Sequence, residues 1–161
     1  MFARNVDLAR LASSDTPILV EGETGVGKHL FAEELHALGP RALRPFVGVQ
    51  MNGMPADAQE ERLFGKNGAV AKAAGGTLFI DEIASLSSLV QKLVILAFDL
   101  PDQPRFVFAT SRNLDREVEK GRLDDEVLQR LLPGYVTIPP LRERLGDVEV
   151  LAHAFWAAHY E

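Results

Sequence analysis

Short apolar runs alternate along the chain with longer stretches in which apolar residues recur at helical spacing. The runs predict five strands, at residues 18–20, 45–49, 76–80, 105–110 and 135–138. Because these runs are predominantly apolar, both faces of each strand are expected to be buried, as in a parallel sheet. Strands that alternate with helices predict an α/β fold in which helices cover both faces of a five-stranded parallel sheet.

The stretches around the strands predict helices at residues 6–12, 28–38, 56–63, 86–100, 115–132 and 147–160. Thr16 and Pro17 end the first of these helices, and Gly39 and Pro40 end the second. No internal repeat or linker interrupts the alternation. The pattern therefore predicts one domain over residues 1–161.

Composition and charge narrow the class of protein. The chain has 161 residues, of which 47% are hydrophobic and 25% are charged, and this suits one globular domain with a real core. It has no cysteine, which excludes disulfides, thiolate chemistry and cysteine-ligated zinc. The net charge of −6 opposes direct binding to DNA. No apolar run approaches the ~20 residues of a membrane span, so the cytoplasm is the expected compartment.

The stretch "GETGVGK", residues 22–28, has the spacing of a phosphate-binding loop between a predicted strand and a predicted helix. Glycines let backbone N–H groups turn inward around phosphate oxygens, and Lys28 is expected to reach the outer phosphates. The alternative is an ordinary glycine turn that caps the helix. The next residue is His29, where such loops have a Ser or Thr that binds Mg²⁺, and it is expected to be an exposed first-turn residue.

An acidic pair ends the third predicted strand, in "GGTLFIDEI". The carboxyl end of a parallel strand lies at the edge where such folds bind ligands, beside the phosphate loop. Asp81 is expected to hold Mg²⁺, and Glu82 to orient or deprotonate an attacking water. The alternative is an acidic pair that caps the following helix.

These motifs, together with "ERLFG", "QKL" and "PPLRER", resemble the AAA+ domain of bacterial enhancer-binding proteins, the sigma-54-dependent transcription activators. The resemblance runs from about residue 5 to the end of the chain. It implies a P-loop NTPase fold of AAA+ type, assembly into a ring, and ATP with Mg²⁺ as the bound cofactors. It extends nucleotide contact over the whole loop, that is, over Gly22, Glu23, Thr24, Gly25, Val26, Gly27, Lys28, His29 and Leu30.

Several positions depart from the family pattern. Gln50 follows the second strand where the family has an asparagine that gates the catalytic glutamate, and Ser111 stands in the sensor strand where Asn or His is common. Of the two arginines that act on a neighbouring subunit's nucleotide, Arg130 matches the second, but Asp124 replaces the first. An arginine finger is worth about 10³ to 10⁵ in rate. Arg122 is a candidate replacement; the alternative is an exposed helix arginine.

The family's long insertion with the GAFTGA loop, which contacts sigma-54, is reduced here to "KNGAVAKAA", residues 66–74. The chain also ends inside what resembles the first helix of the lid. These features favour an ATP- or ADP-binding AAA+ core of a regulator, with weak or absent hydrolysis and no direct contact with sigma-54. The alternatives are a non-catalytic module that keeps the fold and binds a partner regulator, and a competent ATPase that acts without sigma-54.

Overall fold

A computed structural model describes residues 7–160, so Val6, at the start of the first predicted helix, lies outside it. Five parallel strands form one sheet in the order β2-β3-β4-β1-β5. Their bounds are β1 Ile18–Glu21, β2 Phe46–Gln50, β3 Thr77–Asp81, β4 Arg105–Thr110 and β5 Tyr135–Thr137. The predicted five-stranded parallel sheet is confirmed.

The three central strands β1, β3 and β4 are buried on both faces. The edge strands β2 and β5 are partly exposed, so the expectation of burial on both faces is wrong for these two. On one face Phe106 and Phe108 of β4 stack at a ring-centroid distance of 5.9 Å and pack with Leu78 and Ile80 of β3. On the other face Val107 lies in a second apolar cluster, among residues of β1 and the helix that follows it. The sheet therefore lies between two apolar layers, which fix its position relative to the helices.

The described residues contain eight α-helices, of which the last is largely exposed and contacts the turn that precedes it. They are α1 Leu8–Ser13, α2 Lys28–Leu38, α3 Ala56–Phe64, α4 Ala69–Lys72, α5 Ser88–Phe98, α6 Leu114–Glu119, α7 Asp125–Leu131 and α8 Leu145–Tyr160. None of them is long and apolar enough to cross a membrane.

The prediction of one helix over residues 115–132 is wrong, because the chain breaks there into α6 and α7. Gly121 has φ +70°, a backbone conformation that continues neither helix. Asp124 then caps α7, since its carboxylate accepts a hydrogen bond from the Glu126 N–H at 2.9 Å.

The segment between α3 and β3 is compact. Ala69 and Ala73 are buried in the core, and the Gly68 N–H donates to the Gly65 carbonyl at 2.8 Å. The short helix α4 therefore lies against the body of the domain, and nothing in residues 65–76 projects from it.

Candidate functional site

The carboxyl ends of the five parallel strands meet at one edge of the sheet. Register places Gln50 of β2 beside Asp81 of β3, and Glu21 of β1 beside Thr110 of β4 and Thr137 of β5. This edge is where ligands bind in open α/β sheets. The topology therefore brings the predicted acidic pair and the predicted phosphate loop to one place.

The phosphate loop joins β1 directly to α2. Gly25 and Gly27 have φ +84° and +99°, values that favour glycine, and Gly27 is the N-cap residue of α2. Gly22 is tightly enclosed: a Cβ there would lie 2.8 Å from Val26 Cγ2 and 3.0 Å from the Ile138 carbonyl oxygen. The loop thus curls over the amino end of an eleven-residue helix, whose first N–H groups and dipole favour an anion.

The side chain of Lys28 lies inside the phosphate loop. Its ammonium donates to the carbonyl oxygens of Gly22 at 2.7 Å and Glu23 at 3.0 Å. Burial lowers the pKa of Lys28, while the charges of Asp81 and Glu82 act in the opposite sense. The loop, the lysine and the acidic pair therefore form one electrostatic unit, with a cation and N–H donors on one side and carboxylates on the other.

Glu82 is held firmly at the end of β3. Its backbone has φ +58° and its side chain is buried. Thr110 Oγ1 donates to Glu82 Oε1 at 2.7 Å, and Ser111 donates to Oε2 through its hydroxyl at 2.8 Å and its N–H at 3.3 Å. Both carboxylate oxygens are therefore engaged by the end of β4. The sequence singled out Ser111 in the sensor strand but did not indicate this contact.

His29 is an exposed residue in the first turn of α2, as expected, and its ring also packs against the sheet. Its side chain is 54% exposed and lies 3.4 Å from Glu33 Oε1. The imidazole also meets the rings of Phe46 and Phe79 edge-on, at centroid distances of 5.6 and 4.9 Å. The absence of a side chain on Gly48 makes room for it, since a Cβ there would lie 2.9 Å from His29 Cε1. The ring therefore rests on the edge of the sheet.

These residues fit a magnesium nucleotide with one change from the usual ligand set. Mg²⁺ prefers oxygen ligands, and it commonly keeps several waters while binding one or two carboxylates and the phosphates. Asp81 is half-buried at the strand end and offers such a carboxylate. His29 offers no hydroxyl. Within the described part of the chain, no group of three or more His, Asp or Glu side chains forms a metal cluster.

The outer side of the loop contacts the segment after β5. Arg142 forms a two-point ion pair with Glu23, and Arg144 donates to the Val26 carbonyl at 3.0 Å. Sequence reasoning quoted both arginines in "PPLRER" but gave them no role. The only sequence signal is the Pro139–Pro140 pair, which ends β5 and turns the chain.

Arg130 lies apart from this edge. Arg130 Nη2 lies 3.3 Å from Asp99 Oδ2, and its guanidinium carbon is 5.9 Å from the centroid of the Phe98 ring. Arg130 lines an open cavity with Gly75 and Arg105, which stand at the amino ends of β3 and β4. Arg130 is thus at the opposite edge of the sheet from the loop of its own chain.

Arg122 and Asp124 have other partners in this chain. Arg122 lies in the connection between α6 and α7, so its interpretation as a helix residue is wrong, and it donates to the two oxygens of Glu117 at 2.6 and 2.7 Å. Asp124 caps α7, and its N–H donates to Gln91 Oε1 at 2.9 Å. The structure therefore does not bring the predicted arginines and the acidic pair together within one chain.

Comparison with known proteins agrees with the fold and the motifs. The chain is 36% identical to the regulatory protein LuxO of Vibrio cholerae over 96% of its length, and 35% identical to the Nif-specific regulatory protein of Azotobacter vinelandii over 90%. It spans 34% and 32% of those two proteins. The crystal structure of NtrX from Brucella abortus in complex with ATP matches with a TM-score of 0.82 and 27% identity, over 93% of this chain and 39% of that one.

A family model described as the sigma-54 interaction domain matches residues 3–141. That match covers most of the chain, and the relatives agree with it in sequence and in fold. The resemblance inferred from the motifs is therefore confirmed: the chain belongs to the sigma-54 interaction domain family, with the α/β fold of AAA+ P-loop NTPases.

Proposed function

We propose that this chain is the ATP- or ADP-binding core of a sigma-54-activator-like transcriptional regulator and that it hydrolyses ATP slowly by itself. One observation carries the proposal. The glycine loop curls over the amino end of α2, with the Lys28 ammonium inside it and Asp81 across from it. NtrX of Brucella abortus, whose structures were solved with ATP and with ADP, supports the choice of nucleotide.

Each part of the loop has a distinct task in this proposal. The N–H groups of residues 22–30 surround the phosphates, and Lys28 leaves the carbonyls of Gly22 and Glu23 to bind phosphate oxygens. Asp81 holds the Mg²⁺ that neutralises charge on the phosphates when nucleotide is bound. His29 stays on Phe46 and Phe79, so the ion depends on fewer protein ligands than in a loop with Ser or Thr.

Slow hydrolysis follows from how Glu82 is held. A general base must be within hydrogen-bond reach of the water that it activates. Here Thr110 and Ser111 donate to both oxygens of Glu82 and fix the direction of the carboxylate, which leaves it fewer acceptor positions for a water. The chain also lacks an arginine at position 124, and Arg122 is committed to Glu117. Arg130 lies at the opposite edge from the loop of its own chain, so in this proposal it acts only on another subunit's nucleotide.

Direct contact with sigma-54 is not part of the proposal. The corresponding activators use a projecting loop, whereas residues 65–76 here fold back into α4 and the core. The proposed role is nucleotide-dependent association with other subunits of the same fold. This association takes place in the cytoplasm and without direct DNA binding.

A second function, as a non-catalytic module that binds a partner regulator, is favoured by one surface. Leu89, Leu96 and Leu100 on and just after α5 are 53%, 67% and 56% exposed. Exposed apolar patches commonly mark sites of protein contact. In this alternative the fold supports the surface, and nucleotide binding is structural or absent.

Thermal unfolding with and without ATP tests the proposal. A ligand that binds only the folded state at 100 times its Kd stabilises it by about 2.7 kcal/mol, which raises the Tm of a domain of this size by roughly 5–10 °C. The wild type and the surface control Lys92→Ala should show this rise, and Lys28→Ala should not. Equal rises in all three proteins would refute the role of the loop.

Phosphate release tests the second half of the proposal. Turnover should stay below ~1 per second even with Mg²⁺. Release at or above that rate, abolished by Glu82→Gln, would show that the contacts with Thr110 and Ser111 do not restrain Glu82.

A further inference from the structure

The segment after β5 returns to the outer face of the phosphate loop. Arg142 and Glu23 meet at two points, Nη1 to Oε2 at 2.9 Å and Nη2 to Oε1 at 2.6 Å. Arg144 donates from its three nitrogens to Pro139 O at 2.9 Å, Asp147 Oδ2 at 3.1 Å and Val26 O at 3.0 Å. Two arginines from one short segment therefore contact two residues of the loop, more than a hundred positions earlier in the chain.

The pair of Arg142 and Glu23 contributes little to folding. The side chains are 67% and 55% exposed, and exposed ion pairs are typically worth less than about 1 kcal/mol. Its position matters more than its strength. Glu23 directly follows the first glycine of the loop, so an unpaired carboxylate there would repel the phosphates that the loop is built to hold. A two-point contact with a guanidinium fixes the direction of that carboxylate as well as neutralising it.

Arg144 acts on the backbone of the loop. Its side chain is only 12% exposed, and its three contacts hold the guanidinium in one place. In a trans peptide the carbonyl and the next N–H point in opposite directions. Because the Val26 carbonyl is directed at Arg144, the N–H of Gly27 is directed away from it. Arg144 thus fixes the orientation of a peptide group whose N–H belongs to the anion-binding curl.

We propose that Arg142 and Arg144 are positioning residues of the nucleotide site, and this rests on the proposed nucleotide binding. Arg142 holds the Glu23 carboxylate away from the phosphates, and Arg144 sets the Val26–Gly27 peptide so that its N–H serves them. Neither arginine needs to touch the nucleotide. The "PPLRER" segment therefore raises the affinity of the phosphate loop for nucleotide through contacts on the outer face of the loop.

ATP titrations of the full chain test the role of Arg142 through Glu23. Arg142→Ala should weaken ATP binding about tenfold, because it leaves an unpaired carboxylate near the phosphates. Adding Glu23→Gln removes the carboxylate charge but keeps the backbone of residue 23, so the double variant Arg142→Ala with Glu23→Gln should recover most of the lost affinity. Arg116→Ala, on the exposed side of α6, serves as the matched control.

The rescue separates positioning from mere support of the fold. A structural role predicts a lower Tm without nucleotide and no recovery on adding Glu23→Gln, and that result would overturn the proposal for Arg142. Arg144→Met should weaken ATP and ADP alike and should not be rescued by Glu23→Gln. Asp147→Asn, which keeps the Val26 contact, should retain most of the affinity. Unchanged binding by Arg144→Met would overturn the proposal for Arg144.

The titrations distinguish failure of the proposed nucleotide binding from failure of the proposed positioning role. If the wild type binds ATP, Lys28→Ala does not, and Arg142→Ala and Arg144→Met bind as the wild type does, then the proposed nucleotide binding stands. That result refutes the positioning role alone. Absence of binding by the wild type refutes both.

Discussion

The ion pair of Glu117 with Arg122 makes a quantitative prediction about stability in acid. Glu117 is buried on α6, and hydrogen bonds from Arg122 are the main cause that lowers its pKa to about 2, helped by Arg112. A carboxylate whose pKa falls on folding stabilises the protein above the pKa of the unfolded chain, ordinarily about 4.5. That stabilisation is lost as the pH falls from about 4.5 towards 2.

The magnitude follows from the size of the shift. A fall from 4.5 to about 2 corresponds to about 3 kcal/mol at neutral pH, since one pKa unit is 1.36 kcal/mol. This is an upper bound, because Arg122 and Arg112 are 45% and 40% exposed and water screens the attraction. We therefore expect Glu117→Gln to lower the free energy of unfolding by about 1–3 kcal/mol at pH 7.

Urea unfolding at several pH values measures this effect. The difference between the wild type and Glu117→Gln should be largest at pH 7 and should have lost more than half its size by pH 3. Glu119→Gln, an exposed glutamate of the same helix, should match the wild type throughout. A difference that stays constant from pH 7 to pH 3 would refute the ion pair as its cause. Such a result would also leave Arg122 available for catalysis.

Two further predictions concern packing. Arg105→Met should lower the Tm by roughly 6–12 °C, because it removes the donors to the carbonyls of Leu11, Ala12 and Thr16 at a cost of about 3 kcal/mol. The control Arg116→Met should change the Tm little. Equal changes in Tm for the two variants, measured by calorimetry, would contradict the buried role of Arg105. Gly48→Ala should destabilise the wild type by about 1 kcal/mol, because the Cβ of the new alanine would crowd His29 Cε1. The same substitution should cost nothing in a His29→Ala background. Equal costs in the two backgrounds would disprove the packing of His29 against the sheet.

Local patterns were sufficient to predict the strands and the loop. Each strand has a short apolar run at its centre, and the glycine spacing together with Lys28 marks the turn between β1 and α2. Helical periodicity alone was insufficient at residues 115–132. Apolar residues recur through that stretch, and only the positive φ of Gly121 and the capping by Asp124 separate α6 from α7. A break of this kind depends on contacts that periodicity does not record.

The contacts around the site join residues that are distant in sequence, and this explains why the sequence did not reveal them. Thr110 and Ser111 reach Glu82 because β4 lies beside β3 in the sheet. Arg142 reaches Glu23 because β5 lies beside β1 and carries the chain back to the loop. The order of strands places these side chains together, and no spacing within one motif encodes it.

The roles assigned to the arginines illustrate the same limit. Sequence comparison aligned Arg130 with a catalytic position, and the structure places it with Asp99 at the far edge of the sheet. Its predicted role stays a prediction, since only a neighbouring subunit could bring it to a nucleotide.

Calorimetric titration of the full chain with ATP and ADP, with and without Mg²⁺, is the most direct measurement of nucleotide binding at the loop. The wild type should bind both nucleotides at one site, and Lys28→Ala should give no binding heat while keeping its unfolding transition. Absence of binding by the wild type, or equal binding by Lys28→Ala, would contradict the proposed site and favour the protein-contact surface on α5 as the functional part of the domain.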